Sequence, residues 1–160
     1  MEWLLRLAEP WAALYGDSPP LQAVVLFAHL AGLLVGGGFA VAADRATLRA
    51  SRGGLAERER HLGELREMHL PVLTGLSAAV ASGVLMLGAD LETYLPSVVF
   101  WTKMGLLVLL LANGYALRRA GIVLRGDPGG AWRRLQASSL ASTALWLAVL
   151  FAGTWLSAMS

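Results

Sequence analysis

Four uninterrupted apolar runs organise this chain, at roughly 21–43, 71–89, 97–117 and 137–158. Each holds about 19–23 residues, which at ~1.5 Å of rise per residue covers the ~30 Å hydrocarbon core of a bilayer. They predict an all-α membrane protein, a bundle of four transmembrane helices forming one integral membrane domain over residues 1–160. Two polar-flanked segments add to this. In residues 1–16, Trp3, Trp11 and Tyr15 lie in a short amphipathic helix expected in the interface plane, with those aromatics as anchors. Asp17-Ser-Pro-Pro20 then turns the chain into the first span. In residues 54–70, Leu55, Leu62, Leu65 and Met68 recur at helical spacing and predict a solvated helical extension of the second span, with Pro71 bending the junction.

Charge orients the runs. The loop 44–70 contains Arg45, Arg49, Arg52, Arg58, Arg60 and Arg66, and the loop 118–136 contains Arg118, Arg119, Arg125, Arg133 and Arg134. The other connections and termini hold Arg6 alone among basic residues, beside Glu2, Glu9, Asp17, Asp90 and Glu92. By the positive-inside rule both arginine loops are cytoplasmic and both termini lie on the periplasmic side, which points to a bacterial cytoplasmic (inner) membrane. The acidic start and the late first apolar run read as a retained anchor, not a cleaved signal peptide. Composition agrees: 56% of residues are hydrophobic and 15% charged, against about 25% charge in a soluble domain. With no cysteine, disulfides, thiolate zinc sites, iron–sulfur clusters and covalently attached haem are excluded. The lipid bilayer is the expected surrounding, and nucleic acid is not an expected partner.

Against that background two residues stand out. Lys103 is the single lysine, and it lies inside the third run, where an ammonium near mid-bilayer costs about 2.5–3.5 kcal/mol. His29 lies about 12 Å below the outer end of the first run and Lys103 about 9 Å below that of the third, so the two are nearly level. Gln22, Gly32 and Gly36 share the helical face of His29, and Gly36-Gly-Gly38 leaves either a close helix crossing or room for something bulky. Span two offers a matching line at Gly75, Ala79 and Gly83. A cofactor slot between helices would let a neutral His29 imidazole ligate haem iron, with Lys103 as the opposite ligand or as a cation paired with a propionate or anionic substrate. Two plainer readings stay open: a hydrogen-bonded structural histidine, and a lysine that snorkels towards Asp90 or Glu92. His61 and His69 lack metal-ligand spacing and read as part of a solvated helix. Thr74, Ser77 and Asn113 suggest interhelical hydrogen bonds, and Tyr94, Trp101, Trp132 and Trp155 an aromatic belt.

The ordered landmarks His29-Leu-Ala-Gly32, Arg45, Met68-His-Leu-Pro71, Gly83 and Phe-Trp101-Thr-Lys103 resemble the HemJ-type protoporphyrinogen oxidases and related CopD-like four-helix membrane families, over about residues 30–117. The resemblance implies haem b held through His29, with Lys103 as second ligand or catalytic residue, and with Gly32, Gly36 and Arg45 among the cofactor-binding positions. On these grounds the leading expectation is an integral membrane redox protein, a haem-dependent oxidoreductase or an electron-transport relay, whose partners are porphyrin or quinone. The alternative is a non-catalytic accessory subunit of a larger respiratory or photosynthetic membrane complex, or a homo-oligomer. A copper or small-solute permease fits less well, because Met86 and Met104 are isolated and no Met/His cluster lines a path.

Overall fold

The computed structural model describes residues 2–123 and 131–159. Arg125 lies outside the described residues, as do the side chains of Leu55, Leu62, Arg66 and Arg118. The order of elements is α1 (Glu2–Gly16), α2 (Pro19–Ala50), α3 (Leu55–Glu67), α4 (His69–Ala89), α5 (Leu91–Tyr94), α6 (Val98–Val123) and α7 (Ala131–Met159). Four of them, α2, α4, α6 and α7, are long and apolar enough to cross a membrane. The chain is therefore a multi-pass helical membrane protein.

The helices overrun the apolar runs. α2 begins at Pro19-Pro20, where the fixed proline φ suits a first turn that needs no N–H partner, and continues past the last apolar residue to Ala50. Polar residues at its far end leave the hydrocarbon but keep helical propensity. The kink expected at Pro71 lies three residues earlier. Met68 separates α3 from α4, and Pro71 then occupies the first turn of α4, where the missing N–H costs nothing. At the other end of α4, Asp90 accepts a hydrogen bond from Thr93 N (3.2 Å) and starts the short α5.

Packing joins the spanning helices as two pairs. α2 lies along α4, α6 lies along α7, and a narrower α2–α7 seam connects the pairs. α4 and α6 share no comparable seam among the described residues, although Val72 and Leu76 of α4 and Leu106 and Leu107 of α6 pack against one core cluster. The α2–α4 crossing depends on glycine. A Cβ placed on Gly32 would lie 2.6 Å from both Ala79 N and Gly75 O, and one on Gly36 would lie 3.0 Å from Leu76 N. Gly75 in turn meets the backbone of Gly36. Helices that touch backbone to backbone gain dispersion contacts that larger residues would prevent, which is the association mode available where lipid is as apolar as leucine. Below that crossing, Ala40, Leu110, Trp146 and Val149 form one buried cluster, with Gly37 against the Trp146 indole, and Ala50, Trp132 and Leu135 form a second.

α1 does not use all its aromatics as membrane anchors. Trp3 is exposed, but Trp11 donates its indole N–H to Leu85 O (2.8 Å) and stacks near Tyr15, and Gln22 caps the carbonyls of Tyr15 (2.9 Å) and Gly16 (3.1 Å). α1 is thus docked onto the outer end of α4. Trp132 departs from its expected belt position as well. It is buried, with the Arg58 guanidinium 5.2 Å from its ring centre. Among the described residues Thr74 bonds to carbonyls of its own helix, at Leu70 and Pro71, and not across helices. Asn113 behaves as expected and bridges α6 to α7, donating to Ser138 O (2.9 Å) and accepting from Ser138 Oγ (2.8 Å).

Candidate functional site

His29 sits on the face of α2 that looks at α4. Its Nδ1 lies 2.9 Å from Ala79 O and 3.1 Å from Ser82 Oγ. A carbonyl can only accept, so Nδ1 must carry the proton. Ser82 donates its own hydroxyl to Ala78 O (2.6 Å), which leaves its oxygen lone pairs to receive from the ring as well. In the neutral imidazole this fixes the tautomer and leaves Nε2 with a bare lone pair, and no described hydrogen bond uses it. The ring lies over Gly83, where an added Cβ would stand 3.4 Å from Cε1, so this glycine forms the flat floor on which the imidazole rests.

Lys103 comes from α6 and runs along α7. Its Nζ lies 3.4 Å from where a Cβ on Gly153 would be, and the half-buried amine is within electrostatic reach of His29. The one ion pair among the described residues is Arg60–Glu64 (3.6 Å), so Lys103 is paired with neither Asp90 nor Glu92, both exposed. The lysine therefore turns inward, to the layer of His29. Gly153 is a participant that the sequence did not single out. Its signal was a lone glycine in the fourth run, about as far from its outer end as Lys103 is from that of the third.

The other expected cofactor-binding positions do not join this pair. Gly32 and Gly36 are filled against by the α4 backbone, so the slot expected beside them is closed and their role is packing. Arg45 is exposed and lies sixteen residues from His29, about 24 Å along α2. No side-chain group at the level of His29 can reach it.

A second polar region lies towards the arginine-loop end, and the sequence reading missed most of it. Asp44 is 3% exposed, Thr47 0%, Ser51 8% and His61 4%. His61 is not solvated: its Nε2 meets Thr47 Oγ1 at 2.8 Å, which folds α3 back against α2, and burial lowers its pKa despite the opposing charge of Glu64. Arg58 donates to Ser51 O (2.7 Å) and Gln136 Nε2 to Ser51 Oγ (2.6 Å), which ties α2, α3 and α7 together. Asp44 faces α7, where Thr143 Oγ1 donates to Oδ2 (3.3 Å) and Ser139 and Ser142 stand beside the carboxylate. The overlooked signal was the line Ser139, Ser142, Thr143 at helical spacing in the fourth run, opposite the first acidic residue after the first run.

No protein-family model, curated protein or solved structure matches this chain. Among the described residues, no group of three or more His, Asp or Glu side chains could hold a metal ion by themselves.

Proposed function

We propose that this protein is an integral membrane redox protein that holds b-type haem in the half of the bundle away from the arginine loops. The observation that carries the reading is the His29 clamp. A ring whose Nδ1–H is held by a backbone carbonyl presents Nε2 outward in a fixed orientation, the arrangement typical of metal-ligating histidines. One or two axial ligands suffice for haem, so the absence of a larger ligand cluster among the described residues is no obstacle. His29 would be the axial ligand. Lys103 would be the second ligand through a neutral amine, or a cation that binds a propionate or an anionic substrate. The closed α2–α4 crossing leaves no room for the group beside Gly32 and Gly36.

When bound, haem would supply one-electron redox chemistry. The residues of this chain orient the imidazole, place a basic amine beside it and exclude water with the surrounding apolar helices. Porphyrin oxidation in the manner of the HemJ-type enzymes and electron relay to quinone are the two uses consistent with this placement. The arginine loops favour a bacterial cytoplasmic membrane with both termini on the outer side.

The second reading is an accessory subunit of a larger membrane complex, or a homo-oligomer. The glycine faces are spent on helix packing within the chain and so lend no weight to a cofactor, while large apolar side chains such as Phe27, Leu34 and Phe151 stay exposed to lipid or to a neighbouring subunit. An absorption spectrum of protein purified in mild detergent from haem-replete cells separates the readings. The expected result is a Soret band with dithionite-dependent α and β bands, lost in His29→Ala and displaced in Lys103→Met. A colourless preparation refutes the haem reading, and stoichiometric co-purification of a larger complex supports the accessory one.

A further inference from the structure

Asp44 is a carboxylate taken out of water, and among the described residues it has no cationic partner. The neighbouring Arg45 points outward, Arg133 and Arg134 on α7 are exposed, and the one described ion pair lies elsewhere. Its surroundings are oxygen-rich: Thr143 Oγ1 at 3.3 Å from Oδ2, with Ser142 and Ser139 beside it. Ser139 adds an independent observation. It is 0% exposed, and its Oγ, which stands near the Asp44 carboxylate, makes no close hydrogen bond among the described residues. A buried hydroxyl whose hydrogen-bonding capacity is incompletely used carries a desolvation cost, so a group that completes its bonding is favoured.

We propose that Asp44, Ser139, Ser142 and Thr143 form a binding site for a monovalent hard cation, sodium, at the α2–α7 seam. Carboxylate and hydroxyl oxygens are the donors preferred by hard cations. A single carboxylate neutralises one positive charge, whereas a divalent ion in an enclosed site would require further acidic ligands. Asp44 is 3% and Ser142 9% exposed, so an ion at this site would be held by protein oxygens and not by bulk water. The titratable and charged groups nearest to it are few. Along α2 the next inward-facing polar residue is Thr47, which carries the hydrogen bond to His61 of α3, and α7 contributes the three hydroxyls and, one turn further, the neutral Gln136 amide bonded to Ser51. The ion would cancel the buried charge and complete the bonding of Ser139.

The test is thermal unfolding of the full chain in detergent at constant ionic strength, in sodium, potassium or choline chloride, alongside radioactive-sodium binding by scintillation proximity. The expected result is a melting temperature that rises with the logarithm of sodium concentration, and saturable sodium binding displaced poorly by potassium. Both effects should vanish in Asp44→Asn, while Ser139→Ala, which keeps the carboxylate, should bind sodium at least tenfold more weakly. An equal response to sodium and choline overturns the proposal. So does sodium stabilisation retained in Asp44→Asn, or stabilisation by acid that sodium does not displace, which would assign the site to a proton. If Asp44→Asn fails to fold, Ser139→Ala and Thr143→Val decide: unchanged sodium binding in both refutes the site.

Discussion

Gly32→Ala inserts one methyl group where the structure has no space for it. The new Cβ would lie 2.6 Å from Ala79 N and from Gly75 O, and 3.1 Å from Ala79 Cα. All three are backbone atoms of α4, so no rotamer change relieves them. Ordinary contact requires the helices to part by about 0.8 Å, and gaps of 0.5–1 Å forfeit a quarter to a half of each contact's attraction along the crossing. The same movement stretches the His29 Nδ1–Ala79 O bond from 2.9 Å beyond the hydrogen-bonding range. Overpacking of this kind costs about 1–3 kcal/mol. Gly38→Ala is the matched control, since nothing lies within 4 Å of its Cβ. Both substitutions gain up to about 1 kcal/mol of helix propensity, so their difference isolates the clash. In unfolding with increasing denaturing detergent, Gly32→Ala should be about 1–3 kcal/mol less stable than Gly38→Ala. Equal stability of the two would refute the backbone-contact account of this crossing.

Two further outcomes follow from the polar regions. Burial holds the His61 pKa below its ordinary 6.5, so the unfolded state takes up a proton before the folded state does. Its stabilising contribution is complete above about pH 6.5 and is lost as pH falls from there towards the lower folded value. Amide exchange of α3 should therefore accelerate on acidification below about pH 6.5, and His61→Gln should flatten that dependence. Asn113→Ala removes both bonds to Ser138 and should destabilise the α6–α7 pair by about 0.6–1.7 kcal/mol, measured by the same denaturation assay.

The spanning helices were legible because bilayer thickness imposes a length on apolar runs that composition alone reveals. The same rule hid Asp44. Cutting the first span at its last apolar residue placed this carboxylate in a loop, although α2 carries it onward as helix to Ala50. The level of His29 and Lys103 followed from residue counting, and the inward turn of Lys103 did not, because it depends on Gly153 of another helix. Likewise Gly36-Gly-Gly38 admitted both a crossing and a slot. Only the arrival of Gly75 from α4 decides between them, since residues far apart in sequence supply the atoms that fill the space. His61 shows the same limit. Its helix is polar on average, and the partner that buries it, Thr47, belongs to a different element.

The missing α4–α6 seam among the described residues gives this molecule a particular relation to its solvent. Where two helices do not meet, lipid chains become the wall, and that wall is fluid. A molecule dissolved in the bilayer would approach such a face by lateral diffusion without crossing water. Its occupancy would follow its partition into lipid, so that bulk aqueous concentration would understate what the protein experiences. For such a molecule the membrane would be a reservoir as well as a support.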